Sequence, residues 1–162
     1  MNTFRILLAE DNPADIYLIR QALRDHDVPC NIHIVEDGLS ALQFIGRMEA
    51  DTPQAGQPDL ILLDLNLPQH DGIEILKMIR SSPRLAHVPV AILTSSDSPR
   101  DRHAVDELGV TRYIRKPSEL EAFMDIGKVI KELLMDIAPA PLVRHATHVD
   151  ENCKKFENTT EE

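Results

Sequence analysis

Five polar residues stand where short apolar runs of the sequence end, and their types suit the chemistry of phosphoryl groups and divalent cations. Glu10 and Asp11 follow the run Ile-Leu-Leu-Ala, and Asp64 follows Leu-Ile-Leu-Leu. Thr94 follows Val-Ala-Ile-Leu, and Lys116 comes two residues after the end of the β-like run at Ile114. Carboxylates a few ångströms apart repel each other unless a cation lies among them, and all-oxygen ligands favour Mg²⁺ or Mn²⁺ over zinc. Acids, a hydroxyl and a lysine that meet at one place would form a site that handles a phosphoryl group.

The elements that would bring these residues together are five β-like runs that alternate with helix-like segments. We predict strands at residues 5–9, 31–35, 60–64, 88–94 and 111–114. The third and fourth runs are almost continuously apolar, as strands covered on both faces are. This alternation predicts an α/β fold with a doubly wound parallel sheet and helices on both faces. Ligands of such sheets bind at the carboxyl ends of the strands, where all five polar residues would lie.

Cap and stop signals define the predicted helices. Asn12-Pro13 and Ser98-Pro99 each place a cap residue before a proline at the first helical position, and Gly109 ends the fourth helix. Ser118 and Glu121 have the spacing of a capping box and predict one continuous fifth helix. The apolar stripe of that helix would consist of Leu120, Phe123, Ile126, Ile130 and Leu133.

Acidic residues are also common in the first turn of helices, where they interact favourably with the helix dipole. That explanation suffices for Asp15 and could account for Asp11 by itself. It does not account for Asp64, which lies between an apolar run and a loop. The first helix carries Tyr17 outside its apolar arc, so we expect this tyrosine at the surface beside the acidic residues.

Length and charge limit the function classes. With 162 residues the chain corresponds to one domain of roughly 150 residues and a short remainder. We place the domain at residues 1–136, with a polar loop at 49–58, and a mobile or loosely docked tail at 137–162. The net charge of −10 argues against binding of nucleic acid or of an anionic membrane. Without an apolar run long enough for a membrane span or a signal peptide, we expect a cytoplasmic protein.

Several phosphate-binding chemistries do not fit the sequence. The turn after the first strand reads Ala-Glu-Asp-Asn-Pro-Ala rather than G-x-G-x-x-G, and no G-x-x-x-x-G-K-[ST] motif occurs. A phosphatase of the haloacid-dehalogenase type is the better rival, because it also uses an aspartate at a strand end. That class has a second aspartate two residues later as a general acid. Asn66 stands there in this chain and cannot exchange a proton in that way.

The motifs ILLAEDNPAD, VEDG, PDLILLDLNLPQHDG, PVAILTSS and GVTRYIRKP follow one another along the chain. Together they resemble the CheY-like receiver domain of bacterial response regulators, over residues 4–135. EDNPAD and LLDLNLPQHDG are most similar to single-domain regulators that are paired with phytochrome-type histidine kinases. The resemblance implies a flavodoxin-like (βα)5 fold, a three-layer sandwich with strand order 2-1-3-4-5.

The resemblance also implies roles for the residues at the strand ends. Asp64 would be the phosphoacceptor, which attacks a phosphohistidine of a sensor histidine kinase to give an acyl phosphate. Asp11, Asp64 and the backbone carbonyl of Asn66 would ligate Mg²⁺, or Mn²⁺ in its place, and Glu10 would act through a water molecule. Lys116 would bind an oxygen of the phosphoryl group.

A conformational switch is a further implication of the resemblance. Thr94 would turn its hydroxyl towards the phosphoryl group, and Tyr113 would follow it inward. The Lys116–Pro117 peptide would be cis, as in the family. The change would reach the surface over the fourth helix, fifth strand and fifth helix, where mixed charges suit a two-fold homodimer. These charged residues are Arg100, Arg102, Arg112, Arg115, Asp101, Asp106 and Glu107.

Three functions compete for this set of residues. The first is a phosphorylation-dependent switch without an effector domain, which is no enzyme but assists its own phosphorylation and dephosphorylation. The second is a small phosphatase, which Asn66 disfavours. The third is a receiver-like scaffold that is no longer phosphorylated, which the complete set of phosphotransfer residues disfavours. We therefore predict the switch, which would act by phosphorylation-dependent contacts with other proteins.

Overall fold

Helices cover both sides of a five-stranded sheet in the computed structural model of this chain, which describes residues 3–50 and 56–137. The strands are β1 (Phe4–Ala9), β2 (Cys30–Val35), β3 (Leu60–Leu63), β4 (Val90–Thr94) and β5 (Arg112–Arg115). The helices are α1 (Pro13–Asp25), α2 (Gly38–Glu49), α3 (Gly72–Ser81), α4 (Pro99–Glu107), α5 (Leu120–Met124) and α6 (Ile126–Ile137). Every predicted strand is present, and no strand end differs from its prediction by more than two residues.

All neighbouring strands run parallel, in the order β2-β1-β3-β4-β5, which confirms the predicted topology. The chain passes from β1 outward to β2 and returns to β3 on the other side of β1. β1 and β3 are therefore neighbours, and their register pairs Ala9 with Leu63, the last residue of each strand. This pairing places the residues that follow β1 beside the residue that follows β3, at the point where open parallel sheets bind ligands.

Apolar side chains pack on both faces of the sheet. Successive residues of β3 alternate between two clusters: Ile61 and Leu63 pack with α2 and α3, and Leu60 and Leu62 pack with α1 and α6. All four side chains are 0% exposed, as predicted for a strand that is buried on both faces. Burial of one such side chain contributes about 1.5–3 kcal/mol. The polar residues at the strand ends therefore stand on a rigid support.

The predicted helix signals at Asn12, Ser98 and Gly109 are confirmed. Asn12 Oδ1 accepts hydrogen bonds of 2.9 and 3.4 Å from two backbone N–H groups in the first turn of α1. Ser98 caps α4 in a similar way, with one such bond. Gly109, just beyond α4, has a φ of +69°, which favours glycine. Because α1 starts so soon after Asp11, its first turn lies beside the carboxyl end of β1.

The predicted fifth helix is two helices, and the predicted capping box is wrong. α5 begins at Leu120 with Glu119 as its N-cap and no side-chain cap bond. Its C-cap is Asp125, which keeps right-handed helical φ and ψ values, and α6 begins at the next residue. Glu121 is then at the second helical position, from which it cannot form the reciprocal bond of a capping box with Ser118. Leu120 is 60% exposed, whereas the other residues of the predicted stripe are buried.

The peptide bond between Lys116 and Pro117 is trans, since the described residues contain no cis peptide bond. The expectation of a cis bond is therefore wrong. The trans isomer of an X–Pro bond is lower in free energy by about 0.5–1 kcal/mol. In this isomer the backbone N–H of Lys116 still bonds to the carbonyl oxygen of Thr94, at 2.8 Å.

Two predicted segments fall largely outside the described residues. α2 extends through Glu49 into the start of the predicted polar loop, and residues 51–55 of that loop are not described. The predicted tail also lies outside the described residues, apart from Ile137, which ends α6. Among the helices that the structure describes, none has the length and apolar character that a membrane crossing requires.

Candidate functional site

Glu10, Asp11 and Asp64 meet at the carboxyl edge of the sheet. Glu10 and Asp11 follow β1, and Asp64 follows β3, the neighbouring strand. One carboxylate oxygen of each residue lies within 4.8 Å of the others. Glu10 and Asp64 are buried, at 1% and 4% exposure, whereas Asp11 is exposed. The structure thus brings together the three acidic residues that the sequence places at strand ends.

The ammonium group of Lys116 lies among these carboxylates. Its Nζ donates hydrogen bonds to Glu10 Oε2 (2.5 Å), Asp64 Oδ2 (2.8 Å) and Asp15 Oδ2 (2.9 Å). An ammonium group has three N–H donors, so each donor of Lys116 has a carboxylate partner. The Lys116 side chain is only 8% exposed, and the ion pairs are therefore stronger than pairs in water.

Burial and neighbouring charges shift the pKa values in this cluster. Burial raises the pKa of Glu10 to about 7, against the hydrogen bonds from Lys116 and from the backbone N–H of Asn12, which lower it. Burial also acts to lower the pKa of Lys116, but the hydrogen bonds to Asp64, Glu10 and Asp15 outweigh it, and this pKa lies above its usual value. The pKa of Glu10 is raised because burial outweighs its hydrogen bonds, and the pKa of Lys116 is raised because its three carboxylate partners outweigh burial.

The donor set fits a hard divalent cation. Three carboxylates bond to the one ammonium group, and the Asp11 carboxylate lies within 4.8 Å of those of Glu10 and Asp64, so negative charge is in excess when all four are ionised. Oxygen atoms are the ligands that Mg²⁺ and Mn²⁺ prefer. The cluster of Glu10, Asp11 and Asp64 can therefore hold such an ion. The predicted contributions of the Asn66 carbonyl and of a water molecule on Glu10 stay predictions.

The loop after β3 orients the Asp64 carboxylate. The backbone N–H of Asn66 donates to Asp64 Oδ1 at 3.0 Å, while Lys116 holds Oδ2. Gly72, the first residue of α3, packs against this loop, and a Cβ there would lie 2.6 Å from the carbonyl oxygen of Asp64 and 2.5 Å from the Cα of Leu65. Only glycine allows this approach, so the start of α3 contributes to the position of Asp64.

Thr94 ends β4 next to the same loop and is fully buried. Its Oγ1 accepts hydrogen bonds of 3.3 Å from the side-chain amide of Asn66 and of 3.3 Å from the backbone N–H of Ser96. The Thr94 hydroxyl is therefore connected through Asn66 to the loop that orients Asp64.

Tyr113 lies in β5, beside β4, and is half-buried. Its hydroxyl donates a hydrogen bond to the carbonyl oxygen of Ser96, and the guanidinium carbon of Arg102 lies 5.1 Å from its ring centroid, within cation–π range. Burial raises the pKa of the Tyr113 phenol. The tyrosine thus connects β5 to the loop that follows Thr94.

The sequence pattern did not identify Asp15 as a member of the cluster, because interaction with the helix dipole already explained an acid at this position. Its position was nevertheless informative. Asp15 lies four residues after Asp11, in the first turn of a helix that begins at the carboxyl edge of the sheet. Tyr17, two residues further along α1, is 61% exposed, as predicted.

Comparisons with known proteins agree with this geometry. The family model of the response regulator receiver domain matches residues 6–127. The response regulator Rcp1 of Synechocystis sp. is 35% identical over 136 residues, which make up 84% of this chain and 92% of Rcp1.

Two solved structures are similar to the chain over most of its length. The phosphorylated cyanobacterial phytochrome response regulator RcpA shares 41% identity, with 85% of this chain and 97% of RcpA covered and a TM-score of 0.75. The Mn(2+)-bound form of Rcp1 shares 36% identity, with 79% of this chain and 91% of that chain covered and a TM-score of 0.71. With its acidic cluster at the β1–β3 edge of a 2-1-3-4-5 sheet, the chain belongs to the response regulator receiver domains, the phosphoacceptor switches of two-component systems, and is similar to the phytochrome response regulators.

Proposed function

We propose that this chain accepts a phosphoryl group on Asp64 from a sensor histidine kinase and then signals through contacts with other proteins. The observation that carries the proposal is the buried Asp64 carboxylate, which lies in one cluster with Glu10 and Asp11 and 2.8 Å from Lys116 Nζ. Response regulators partner with histidine kinases. The similarity to Rcp1 and RcpA supports a kinase of the phytochrome type.

The transfer forms a bond between a carboxylate oxygen of Asp64 and phosphorus, and it breaks the bond between phosphorus and the histidine nitrogen of the kinase. The nitrogen keeps the electron pair of the broken bond. A carboxylate nucleophile carries no proton to remove, so the step needs no general base. The hydrogen bonds from Asn66 and Lys116 hold the two carboxylate oxygens of Asp64 in a defined orientation. A nucleophile held in this way loses less orientational freedom when it reacts.

Asp11, Asp64 and the backbone carbonyl of Asn66 would hold Mg²⁺ directly, and Glu10 would hold it through a water molecule, with Mn²⁺ as a substitute. When bound, the ion neutralises charge so that an anionic nucleophile can approach an anionic phosphoryl group. The all-oxygen cluster supports this assignment, and so does the Mn(2+)-bound form of Rcp1.

Lys116 and Thr94 would read the new phosphoryl group. Lys116 would exchange its bond to Asp64 for a bond to a phosphoryl oxygen. Thr94 would turn its hydroxyl away from Asn66 and towards a second phosphoryl oxygen. Tyr113 would follow, since its hydroxyl is bonded to Ser96 in the loop after Thr94. Phosphorylation would thus shift the population between two conformations of one protein. The chain assists its own phosphorylation and dephosphorylation, and it acts as a switch rather than as an enzyme on a separate substrate.

Incubation of the protein with acetyl phosphate and Mg²⁺, followed by mass spectrometry, tests the proposal. The wild-type chain should gain one phosphoryl group, Asp64→Asn should gain none, and Asp106→Asn, which changes an exposed aspartate of α4, should behave as wild type. Continuous release of phosphate with rapid turnover would identify a phosphatase, and no labelling of the wild type would identify a scaffold. Either result contradicts the proposal, as does labelling of Asp64→Asn at the wild-type rate.

We further propose self-association through the surface formed by α4, β5 and α5. β5 is an edge strand of the sheet, and Arg100 and Arg112 are exposed near it. Arg115 forms a surface ion pair of 3.2 Å with Asp97, so the surface presents charges of both signs. Such a surface can pair with a second copy of itself about a two-fold axis.

Light scattering over a concentration series, with and without acetyl phosphate, tests the dimer. The phosphorylated protein should approach twice the monomer mass, and Arg112→Glu should keep it monomeric. Arg24→Glu, which changes an exposed arginine of α1, should leave the association intact. A monomer in both states would refute the dimer without affecting the assignment of Asp64.

A further inference from the structure

We propose that Asp15 is a positioning residue for Lys116. Its carboxylate would keep the ammonium group beside Asp64 while the lysine changes partners from the carboxylate to the phosphoryl group. The proposal rests on the function proposed for Asp64 and concerns a residue outside the predicted cation-binding set. Its basis is the hydrogen bond of 2.9 Å between Asp15 Oδ2 and Lys116 Nζ, which joins residues 101 positions apart.

The number of donors on Lys116 explains why an anchor is needed. All three N–H groups have carboxylate partners, namely those of Glu10, Asp15 and Asp64. The bond to Asp64 is the one that Lys116 gives up when this carboxylate becomes an acyl phosphate and the lysine turns to a phosphoryl oxygen. Glu10 is predicted to be occupied with the cation at the same time. Asp15 is therefore the partner that can hold the ammonium group throughout the exchange.

A role in the stability of α1 does not by itself account for the position of the Asp15 carboxylate. Asn12 already caps the helix, and its Oδ1 accepts the backbone N–H of Asp15. Among the residues that the structure describes, the hydrogen-bond partner of the Asp15 carboxylate is Lys116. The Asp15 side chain is 22% exposed and that of Lys116 is 8% exposed, so the pair is largely withdrawn from water.

The first test is a double-mutant cycle on the rate of phosphorylation by acetyl phosphate at saturating Mg²⁺. Asp15→Asn keeps the shape of the side chain and removes its charge, and we expect the rate constant to fall by about tenfold. Affinity for Mg²⁺ should change by a smaller factor than the rate constant, since Asp15 is not a predicted ligand. In a Lys116→Ala background the same substitution should change the rate by less than about twofold, because Asp15 acts only through the lysine.

Glu74→Gln is the matched control, because Glu74 is an exposed acid in the first turn of α3. Loss of an acid from a helix start should by itself leave the rate within about twofold of wild type. Equal slowing by Asp15→Asn with and without Lys116 would overturn the proposal, since it would show that Asp15 acts independently of the lysine.

The second test uses the protein in EDTA and does not depend on phosphorylation. In ¹⁵N spectra of lysine side chains, the ammonium group of Lys116 should be protected from exchange with water, and its signal is identified by its absence in Lys116→Ala. Asp15→Asn should broaden or abolish this signal, and Glu74→Gln should keep it. An unchanged signal in Asp15→Asn refutes the positioning role. Failure of Asp64 to accept a phosphoryl group would refute the proposed function and leave this measurement unaffected.

Discussion

The hydroxyl of Tyr113 donates a hydrogen bond of 2.8 Å to the backbone carbonyl of Ser96, two residues after Thr94. Ser96 Oγ donates in turn to Asp101 Oδ2 at 2.8 Å, so the loop after β4 is joined to both β5 and α4. A movement of Thr94 can therefore reach the outer surface through bonded neighbours. The Tyr113 side chain is thus held by the loop after β4 and, through the contact of its ring with Arg102, by α4.

The ionisation of Tyr113 is predicted to report this inward position. Burial raises its pKa above the ordinary value of 10.0, and the hydrogen bond to Ser96 opposes this in part. The chain has two tyrosines, so the substitution Tyr17→Phe leaves Tyr113 as the single tyrosine. The near-ultraviolet absorbance of tyrosinate in this variant should therefore rise with a midpoint above that of the urea-unfolded chain.

The sign of the linked stability change follows from the same shift. A phenol whose pKa is higher in the folded state contributes stability below its unfolded pKa, and this is lost as the pH rises through the folded value. The free energy of unfolding of Tyr17→Phe should therefore fall at high pH as Tyr113 ionises. The double variant Tyr17→Phe, Tyr113→Phe should lack this part of the fall. A folded midpoint at or below the unfolded one would contradict the inward position.

The two acids that follow β1 are predicted to contribute unequally to cation binding. Asp11 is exposed and has room for a direct bond to the ion, whereas Glu10 is buried and already bonded to Lys116. Loss of a direct ligand removes more affinity than loss of a partner that acts through water, for which about 10–100-fold is typical. Titration calorimetry with Mg²⁺ should therefore show weaker binding for Asp11→Ala than for Glu10→Ala. Equal or reversed losses would contradict this assignment of the two roles.

Local patterns predicted the supporting elements well, because each of them depends on neighbouring residues. The continuous apolar run of β3 indicated burial on both faces, and Asn12 and Ser98 indicated helix starts. The prediction for residues 118–121 failed because the chain enters α5 one residue later than the capping-box spacing requires. Strand order came from the family resemblance, since spacing alone does not determine which strands are neighbours.

The long-range contacts of the site were harder to predict. The types of Glu10, Asp64 and Lys116 and their places at strand ends indicated one cluster. The bond between Asp15 and Lys116 joins residues 101 positions apart, and a simpler local explanation of Asp15 was at hand. The contact of Arg102 with the Tyr113 ring depends on how α4 packs beside β5, which no local pattern specifies.

Alanine at Gly72 is predicted to displace the loop that carries Asp64. Its Cβ would lie 2.6 Å from the carbonyl oxygen of Asp64, and backbone atoms cannot move away as a flexible side chain can. Overpacking of this kind costs about 1–3 kcal/mol. Urea unfolding should show this loss for Gly72→Ala, together with slower labelling by acetyl phosphate.

Gly46→Ala is the matched control for Gly72→Ala. Gly46 lies within α2, and a Cβ there would have no neighbour within 4 Å. Alanine in a helix is more stable than glycine by about 0.5–1 kcal/mol, so this variant should be more stable than wild type and should be labelled at the wild-type rate. Destabilisation by both substitutions, or by neither, would contradict the prediction that glycine is needed at position 72 for the close approach of α3 to Asp64.

Removal of the Lys116 ammonium group is predicted to destabilise the protein in a manner that depends on the cation. In EDTA, Lys116→Ala leaves Glu10 and Asp64 buried without their cationic partner, and breaking a buried pair typically costs about 3–5 kcal/mol. The loss should be near the lower end of that range, because burial raises the pKa of Glu10 to about 7 even beside Lys116, and loss of the lysine raises it further, so this carboxyl can take up a proton. Lys77→Ala, which changes an exposed lysine of α3, should leave the free energy of unfolding nearly unchanged.

Saturating Mg²⁺ should restore much of the stability of Lys116→Ala, since an ion that binds only the folded state stabilises it and neutralises the same carboxylates. Urea unfolding of both variants and the wild type, in EDTA and in Mg²⁺, measures the difference. A loss of equal size under both conditions would assign the effect to packing of the lysine stem instead of charge. If Mg²⁺ rescues stability while phosphorylated Lys116→Ala still fails to bind its partner, the lysine acts on the phosphoryl group and is not required to hold the ion.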